Sequence, residues 1–385
     1  MNGDVFLKIL FSELQHHKKI VIFGYAGVGK SLYKYITAKV DDVNIFFCDN
    51  SSERQGVHDS VSVLSVNEAV EKYADRVFII ASLYHSNAMH EQLIKAGILD
   101  DYIVTELPRE ILEAEEEVEK MKRITNREQF RFEININKQC NLNCKGCDHF
   151  APIANADFMD LDMLERDVRR LSDLFDRKAW QIHLLGGEPL LNPNITNYMK
   201  VVRKYFPTAE IFIDTNGTLL ANMDKGFWQD CQNYQINIMP TRYPVKVDYE
   251  ALGELVRSYG LKYEFLGSSE GGRTLWHFPL DLKGKQDPKE SFIHCRNANQ
   301  CLTLENSRLY TCSIAPNIKA FNEYFKQHIQ LTEEDGIDIY KAKSADEVLT
   351  AMACPMPFCR YCDVKHRTYD HPWELSKKSI KEWIL

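Results

Sequence analysis

Strands alternating with helices in two separate stretches, followed by a cysteine-rich final third, predict an α/β chain of more than one domain. The first stretch holds short apolar runs at 19–23, 43–49 and 77–81; the second holds runs at 131–137, 181–185, 210–213, 235–239 and 262–266. Apolar residues at helical spacing separate them, which implies parallel sheets. With 385 residues, 44% hydrophobic and 26% charged, the chain can bury two or three cores.

Composition narrows the function classes. Lys and Arg total 47 against 55 Asp and Glu, a formal net charge of −8, which argues against a nucleic-acid partner held by its phosphates. No apolar run is long enough to span a bilayer, and the first residues lack the basic and apolar regions of a signal peptide. A cytoplasmic protein without a membrane partner is expected. In that setting eleven cysteines read as metal or redox chemistry rather than disulfides.

Taken in order, Phe6, Ile9, Leu10 and Leu14 predict a helix, and 19–23 is a buried strand. Gly24-Tyr-Ala-Gly-Val-Gly-Lys-Ser31 then turns into a second helix. As Gly-x4-Gly-Lys-Ser it matches a phosphate-binding loop, with Lys30 and Ser31 as phosphate and magnesium ligands. As Gly24-x-Ala26-x-x-Gly29, with Asp49 closing the second strand, it reads as a Rossmann-type turn, and this second reading is preferred because the third strand ends in Ala81-Ser82 without a magnesium-binding Asp. The glycines can equally serve only strand-to-helix packing. A charged helix, residues 109–126, links this Rossmann-like domain (1–108) to the rest.

The next domain opens with the alternating strand 131–137 and then Cys140-Asn-Leu-Asn-Cys144-Lys-Gly-Cys147. Three thiolates this close can hold three irons of a four-iron cluster and leave the fourth iron open to a ligand bearing an amine beside a carboxylate. Zinc, with Asp148 or His149 completing four ligands, is the alternative. Leu184-Leu-Gly-Gly-Glu-Pro-Leu190 and Ile213-Asp-Thr-Asn-Gly-Thr218 follow at the ends of two later strands.

In this set of motifs the chain resembles the radical S-adenosylmethionine (SAM) superfamily. The resemblance implies an open, partial (β/α)6 TIM barrel over residues 127–290, with Cys140, Cys144 and Cys147 holding a [4Fe–4S] cluster that binds SAM. It places Gly186, Gly187, Glu188 and Pro189 at the methionyl amine, and Thr215 and Asn216 at the ribose and carboxylate. Gly146 stands where the superfamily usually has an aromatic residue.

Residues 291–385 change character. Cys295 and Cys312 flank a hairpin turning at Glu305-Asn-Ser307, and Cys359 and Cys362 form a later Cys-x2-Cys. This resembles the twitch domain, the shortened relative of SPASM, whose four cysteines hold one auxiliary [4Fe–4S] cluster; Ser307 stands where the family places glycine. A structural zinc on the same thiols is the alternative. Cys301 and Cys354 are alternative ligands, hydrogen-atom donors or inert thiols, and residues 373–383 are expected to form a capping helix.

The resemblances imply a 5′-deoxyadenosyl radical that abstracts hydrogen from a small molecule, with a reductant such as flavodoxin or ferredoxin as partner. The first domain looks like those attached to enzymes of sugar and surface-polymer biosynthesis. It suggests oxidation or epimerisation of a sugar, cyclitol or polyol, free or linked to a nucleotide or phosphate. The alternatives are a peptide-modifying member and a zinc-stabilised nucleotide-binding or scaffold protein.

Overall fold

The computed structural model describes residues 6–7, 19–40, 43–58, 61–82, 86–108, 111, 124, 126–266 and 274–385. They fall into two compact units, residues 1–119 and 120–385. The expected helix at the start and the linking helix lie almost wholly outside the described residues.

The first unit is a six-stranded sheet. Its strands are β1 (Lys19–Phe23), β2 (Asn44–Cys48), β3 (Gly56–His58), β4 (Val61–Leu64), β5 (Val77–Ile80) and β6 (Ile103–Val104), in the order β3-β4-β2-β1-β5-β6. Helices α1 (Gly27–Thr37), α2 (Val66–Tyr73) and α3 (Ser86–Lys95) make the crossovers. Two apolar clusters form, one around Ile20, Ile22, Leu32 and Ile79 and the other around Val21, Phe23, Phe78 and Leu93. Alternate residues of β1 go to each, as a strand covered on both faces requires.

The second unit carries the partial barrel. Parallel strands β7 (Arg131–Asn137), β8 (Gln181–Gly186), β9 (Glu210–Thr215) and β10 (Ile236–Pro240) alternate with α4 (Leu161–Leu174), α5 (Ile195–Tyr205) and α6 (Lys225–Asn233), and α7 (Tyr249–Ser258) follows. Ile134, Ile182, Leu184, Ile211, Ile213 and Ile238 point to the helices and form the main core with Leu164, Val168, Met199 and Val202. The opposite face carries Glu133, Asn135, Asn137, His183 and Asp214 beside Leu185, Phe212 and Met239.

The strand expected at 262–266 reduces to one bridge, Tyr263 with Ile238. Ile238 donates to Lys262 O at 3.0 Å, and Glu264 and Leu266 donate in turn to Ile238 O and Pro240 O at 3.1 and 2.9 Å, but Pro240 has no N–H to return a bond, so no second bridge forms.

After β11 (Thr274–His277) and α8 (Pro288–Ile293), the hairpin β12 (Thr303–Glu305) and β13 (Arg308–Tyr310) does not stand apart. β12 pairs in parallel with β7, so the sheet reads β10-β9-β8-β7-β12-β13-β14, with β14 spanning Ile337–Asp338. Its two-residue turn has Asn306 at φ 49° and Ser307 at φ 62°, the left-handed pair of a type I′ turn. Ser307 is held there by Asp167 of α4, which accepts its N–H and its hydroxyl, each at 2.9 Å. Helices α9 (Ile314–Phe325) and α10 (Ala345–Met352) complete this part.

The expected capping helix at 373–383 is not formed. Strand β15 (Thr368–Pro372) pairs antiparallel with β11, and the chain beyond it runs extended to a short 3₁₀ turn at Ile380–Glu382, closed by a Ser379–Glu382 capping box. Its backbone groups are committed instead to the cysteine loop, which precludes a helical ladder.

Candidate functional site

β7 leads directly into the three-cysteine loop, which coils through left-handed residues Asn143 (φ 52°), Gly146 (φ 64°) and Phe150 (φ 54°). Residues 373–383 lie along it as a strap. Lys145 N–H donates to Glu374 O at 2.9 Å and Ser376 N–H to Asn143 O at 2.8 Å. Lys145 Nζ reaches the Glu374 carboxylate at 2.8 Å. The Trp373 indole N–H points at Cys144 Sγ, 3.2 Å away, and that of Trp383 at Cys147 O, 2.9 Å away. A Cβ on residue 146 would already come within 3.0 Å of Glu382 O, so the strap leaves no room for an aromatic side chain there.

The second motif closes on the first. A Cβ at Gly186 would sit 1.9 Å from Asn137 O, and one at Gly187 1.9 Å from Gln139 O, so the two glycines let the end of β8 lie against the backbone entering the cysteine loop. Gly187 N–H donates to Asn137 O and Glu188 N–H to Gln139 O, both at 2.8 Å. The Glu188 side chain is fully buried and accepts from Thr215 Oγ1 (2.6 Å), Asn216 N–H (2.8 Å) and Leu190 N–H (3.2 Å). Burial outweighs these donors and lifts its carboxyl to about 7. Pro189 opens the 3₁₀ turn behind it. Asn216 completes the circuit, donating to Asn141 Oδ1 at 2.7 Å and approaching Cys140 Sγ at 3.8 Å. The three sequence motifs thus meet in one place.

The donor set suits a metal cluster. Cys140, Cys144 and Cys147 are half-buried, and burial, reinforced by its acidic and cysteine neighbours, pushes the Cys140 thiol up to about 12. Such a group becomes a thiolate at neutral pH only beside a compensating cation. Among the described residues, the group of three ligand atoms within 4.8 Å of one another is Cys147, Asp148 and His149, and no three thiols lie so close. Sulfurs around one tetrahedral zinc stand roughly 3.8 Å apart, so neither cysteine set is drawn in to zinc spacing. His149 is a hydrogen-bonding residue, its Nδ1 2.9 Å from Asp148 Oδ1.

Cys295, Cys312, Cys359 and Cys362 are buried in one apolar cluster with Phe150, Phe278, Phe358 and Trp383. Their charges are mutually felt: after burial, Cys362 and Cys295 raise Cys312, while Cys359 and Cys295 help to hold the Cys362 thiol up at about 12. Cys301 stands elsewhere, against Glu133, and Cys354 is exposed just past α10.

Sequence reading missed the polar lining of the barrel. Glu133 and His183 face each other in register across β7 and β8, and His183 Nδ1 meets the Asp214 carboxylate of β9 at 2.9 and 3.0 Å. Strand alternation was the available signal, since these side chains occupy the face opposite the isoleucines. Of the other polar residues near strand ends, Arg242 pairs with Glu250 and lies over Phe265, and Arg296 covers the Trp276 ring at 4.3 Å. Trp276 and His277 line a cavity of about 230 Å³ with Lys145, Glu374 and Lys381, at the edge of the strap.

In the first unit, α1 already begins at Gly27, and Lys30 N–H is bonded to Ala26 O at 3.0 Å. The open cradle of a phosphate-binding loop is therefore absent at these residues. Asp49 Oδ2 accepts from Tyr25 N–H of the same turn at 2.7 Å, and Oδ1 from Ser51 N–H at 2.8 Å, so this acid fastens the turn. Gly24 (φ 116°) and Gly29 allow close packing against Ala81 and each other.

Residues 134–240 match the model of the Radical SAM superfamily. Curated relatives include GTP 3′,8-cyclase of Clostridium perfringens (strain 13), 35% identical over 95 residues, 24% of this chain and 28% of that protein. GTP 3′,8-cyclase of Helicobacter pylori (strain 26695) is 30% identical over 92 residues, 24% of this chain and 29% of that protein. The chain thus spans less than a third of the length of these two relatives. Among solved structures, BtrN in complex with AdoMet and 2-DOIA is 17% identical with a TM-score of 0.39, covering 60% of this chain and 92% of that one. SuiB of Streptococcus suis bound to S-adenosylmethionine is 19% identical with a TM-score of 0.29, covering 49% and 46%. These two assign neither substrate nor reaction.

The relatives' name overturns the expected oxidation or epimerisation of a sugar, cyclitol or polyol, since it states cyclisation of a purine nucleotide. That expectation leaned on the glycine turn of the first unit, whose acid is engaged in holding the turn. No described helix is long and apolar enough to cross a membrane. Over residues 134–240 the chain is thus similar to the radical SAM superfamily, enzymes that bind SAM beside a [4Fe–4S] cluster.

Proposed function

We propose that the chain is a SAM-cleaving radical enzyme whose small-molecule substrate is a purine nucleotide, with Cys140, Cys144 and Cys147 as the ligands of the SAM-binding cluster. The observation that carries this reading is the hydrogen-bonded circuit of the cysteine loop, Glu188 and Asn216 at the ends of three adjacent parallel strands. When bound, cluster and SAM supply a 5′-deoxyadenosyl radical.

The chain's own residues bind and orient. Gly186 and Gly187 keep the loop and the β8 end in register. Glu188, buried and lifted to about 7, gains its charge when an ammonium such as the methionyl amine approaches it, with Pro189 fixing its backbone. Thr215 and Asn216 hold Glu188 in place and present polar edges to the same space. The purine nucleotide is the substrate class that the curated relatives' name states. Cys295, Cys312, Cys359 and Cys362 hold a second [4Fe–4S] cluster of the twitch type, and a cytoplasmic reductant such as flavodoxin or ferredoxin supplies electrons.

The test is 5′-deoxyadenosine formation by anaerobically reconstituted, reduced protein with GTP, ATP or no nucleotide. Stimulation by a purine nucleotide is the expected result. Protein with a full iron and sulfide complement that responds to none of them would refute the substrate class.

A further inference from the structure

The barrel interior holds polar groups that the cysteine loop and Glu188 do not use. His183 is buried, its ring stacked on Phe212 with centroids 5.4 Å apart, and its Nδ1 is committed to Asp214. Its Nε2 is buried with no hydrogen-bond partner. On the neighbouring strand Asn135 Oδ1 is likewise buried and unpartnered. Each such orphan leaves a desolvated polar atom that a hydrogen bond from a ligand or water would satisfy. Glu133, opposite His183 in register, and Cys301 beside it are only partly buried.

Position gives this cluster its meaning. His183 lies three residues before Gly186 on β8 and Asp214 immediately before Thr215 on β9, which puts the pair roughly 10 Å or less below the SAM-side motifs on the same strands. The charged groups coupled to it are Glu133, Asp214, His149 and Arg131, with Asp148 acting on Cys301. Arg131 is bound to Gln300 O by two nitrogens, at 3.0 and 2.9 Å. The positive groups His183, His149 and Arg131 are thus met by Asp214, Asp148 and Glu133, so no net positive field is left over to hold a phosphate, and an uncharged hydrogen-bonding group fits.

We propose that His183, held by Asp214 and flanked by Glu133 and Asn135, is a recognition site inside the barrel for the uncharged heterocyclic edge of the substrate, its purine end, with the phosphates directed away. His183 Nε2 is the contacting atom, and Asp214 is a positioning residue that fixes the ring. The choice of a purine rests on the nucleotide reading above; the polarity of the site does not.

The experiment measures equilibrium binding of guanosine, GTP and inorganic tripolyphosphate to reconstituted protein with SAM, for wild type, H183N, H183Q and E133Q. Iron content and circular dichroism establish that each variant is folded. Guanosine should bind and tripolyphosphate should not compete with it. H183N should weaken guanosine roughly tenfold or more, and H183Q, whose longer amide reaches the place of Nε2, should restore part of the loss. GTP-dependent 5′-deoxyadenosine formation with guanosine and GTP affinities unchanged in H183N and E133Q would overturn the site and leave the nucleotide reading standing. Wild-type protein that binds neither nucleoside nor nucleotide would overturn both.

Discussion

A few side chains decide whether the loop at 140–147 can carry a cluster. Replacing Cys140, Cys144 or Cys147 by Ala should abolish 5′-deoxyadenosine formation, more than a hundredfold, and lower iron by one cluster, read from the absorbance near 400 nm. Trp373→Phe removes the N–H donated to Cys144 Sγ while keeping the ring, so the cluster potential should move negative in a redox titration with iron content unchanged. Glu188 makes stability depend on pH in the metal-free protein. Its folded pKa, about 7, is above that of an ordinary carboxyl, so the folded state holds the proton more tightly. Its contribution is complete below about 4.5 and is lost as pH rises through 7, at most ~3 kcal/mol. Urea titrations at pH 5 and pH 8 should show that loss in wild type and not in Glu188→Gln.

At the scale of elements, the hairpin β12–β13 is fastened by one turn residue. Ser307→Val places a β-branched side chain at φ 62° and breaks two bonds to Asp167, and should cost about 2 kcal/mol in denaturant unfolding. Ser307→Gly keeps the backbone and should cost less. Much of this architecture was legible in the sequence because it obeys local rules: β7 to β10 alternate, and the helices between them repeat at 3.6 residues. What was not legible depends on partners far away in the chain. The strap at 373–383 is expected from sequence to be a helix, yet its hydrogen bonds go to residues 143–145. The strand at 262–266 failed at a proline on its neighbour. The candidate site divides the same way, since the cysteines and the Gly-Gly-Glu-Pro run are contiguous motifs, whereas His183, Glu133 and Trp373 acquire a role only once strands and strap are assembled.

The whole molecule comprises two units, each with its own apolar cores, and every motif of the proposed chemistry lies in residues 120–385. That segment expressed alone should fold cooperatively and retain the iron of the full chain after reconstitution, as metal analysis would report. Converting Cys295, Cys312, Cys359 and Cys362 together to Ala should remove the second cluster's share of iron and leave the absorbance of the first. The strap also sets a sequence of events in time. Cys144 and the indole that covers it are 229 residues apart, so this contact is among the most distant in the chain and has the largest loop-closure cost to meet. During synthesis the three thiols stand uncovered while more than two hundred residues are still to be made. Iron and sulfide can enter in that interval, and arrival of the two tryptophans then seals a cluster already in place.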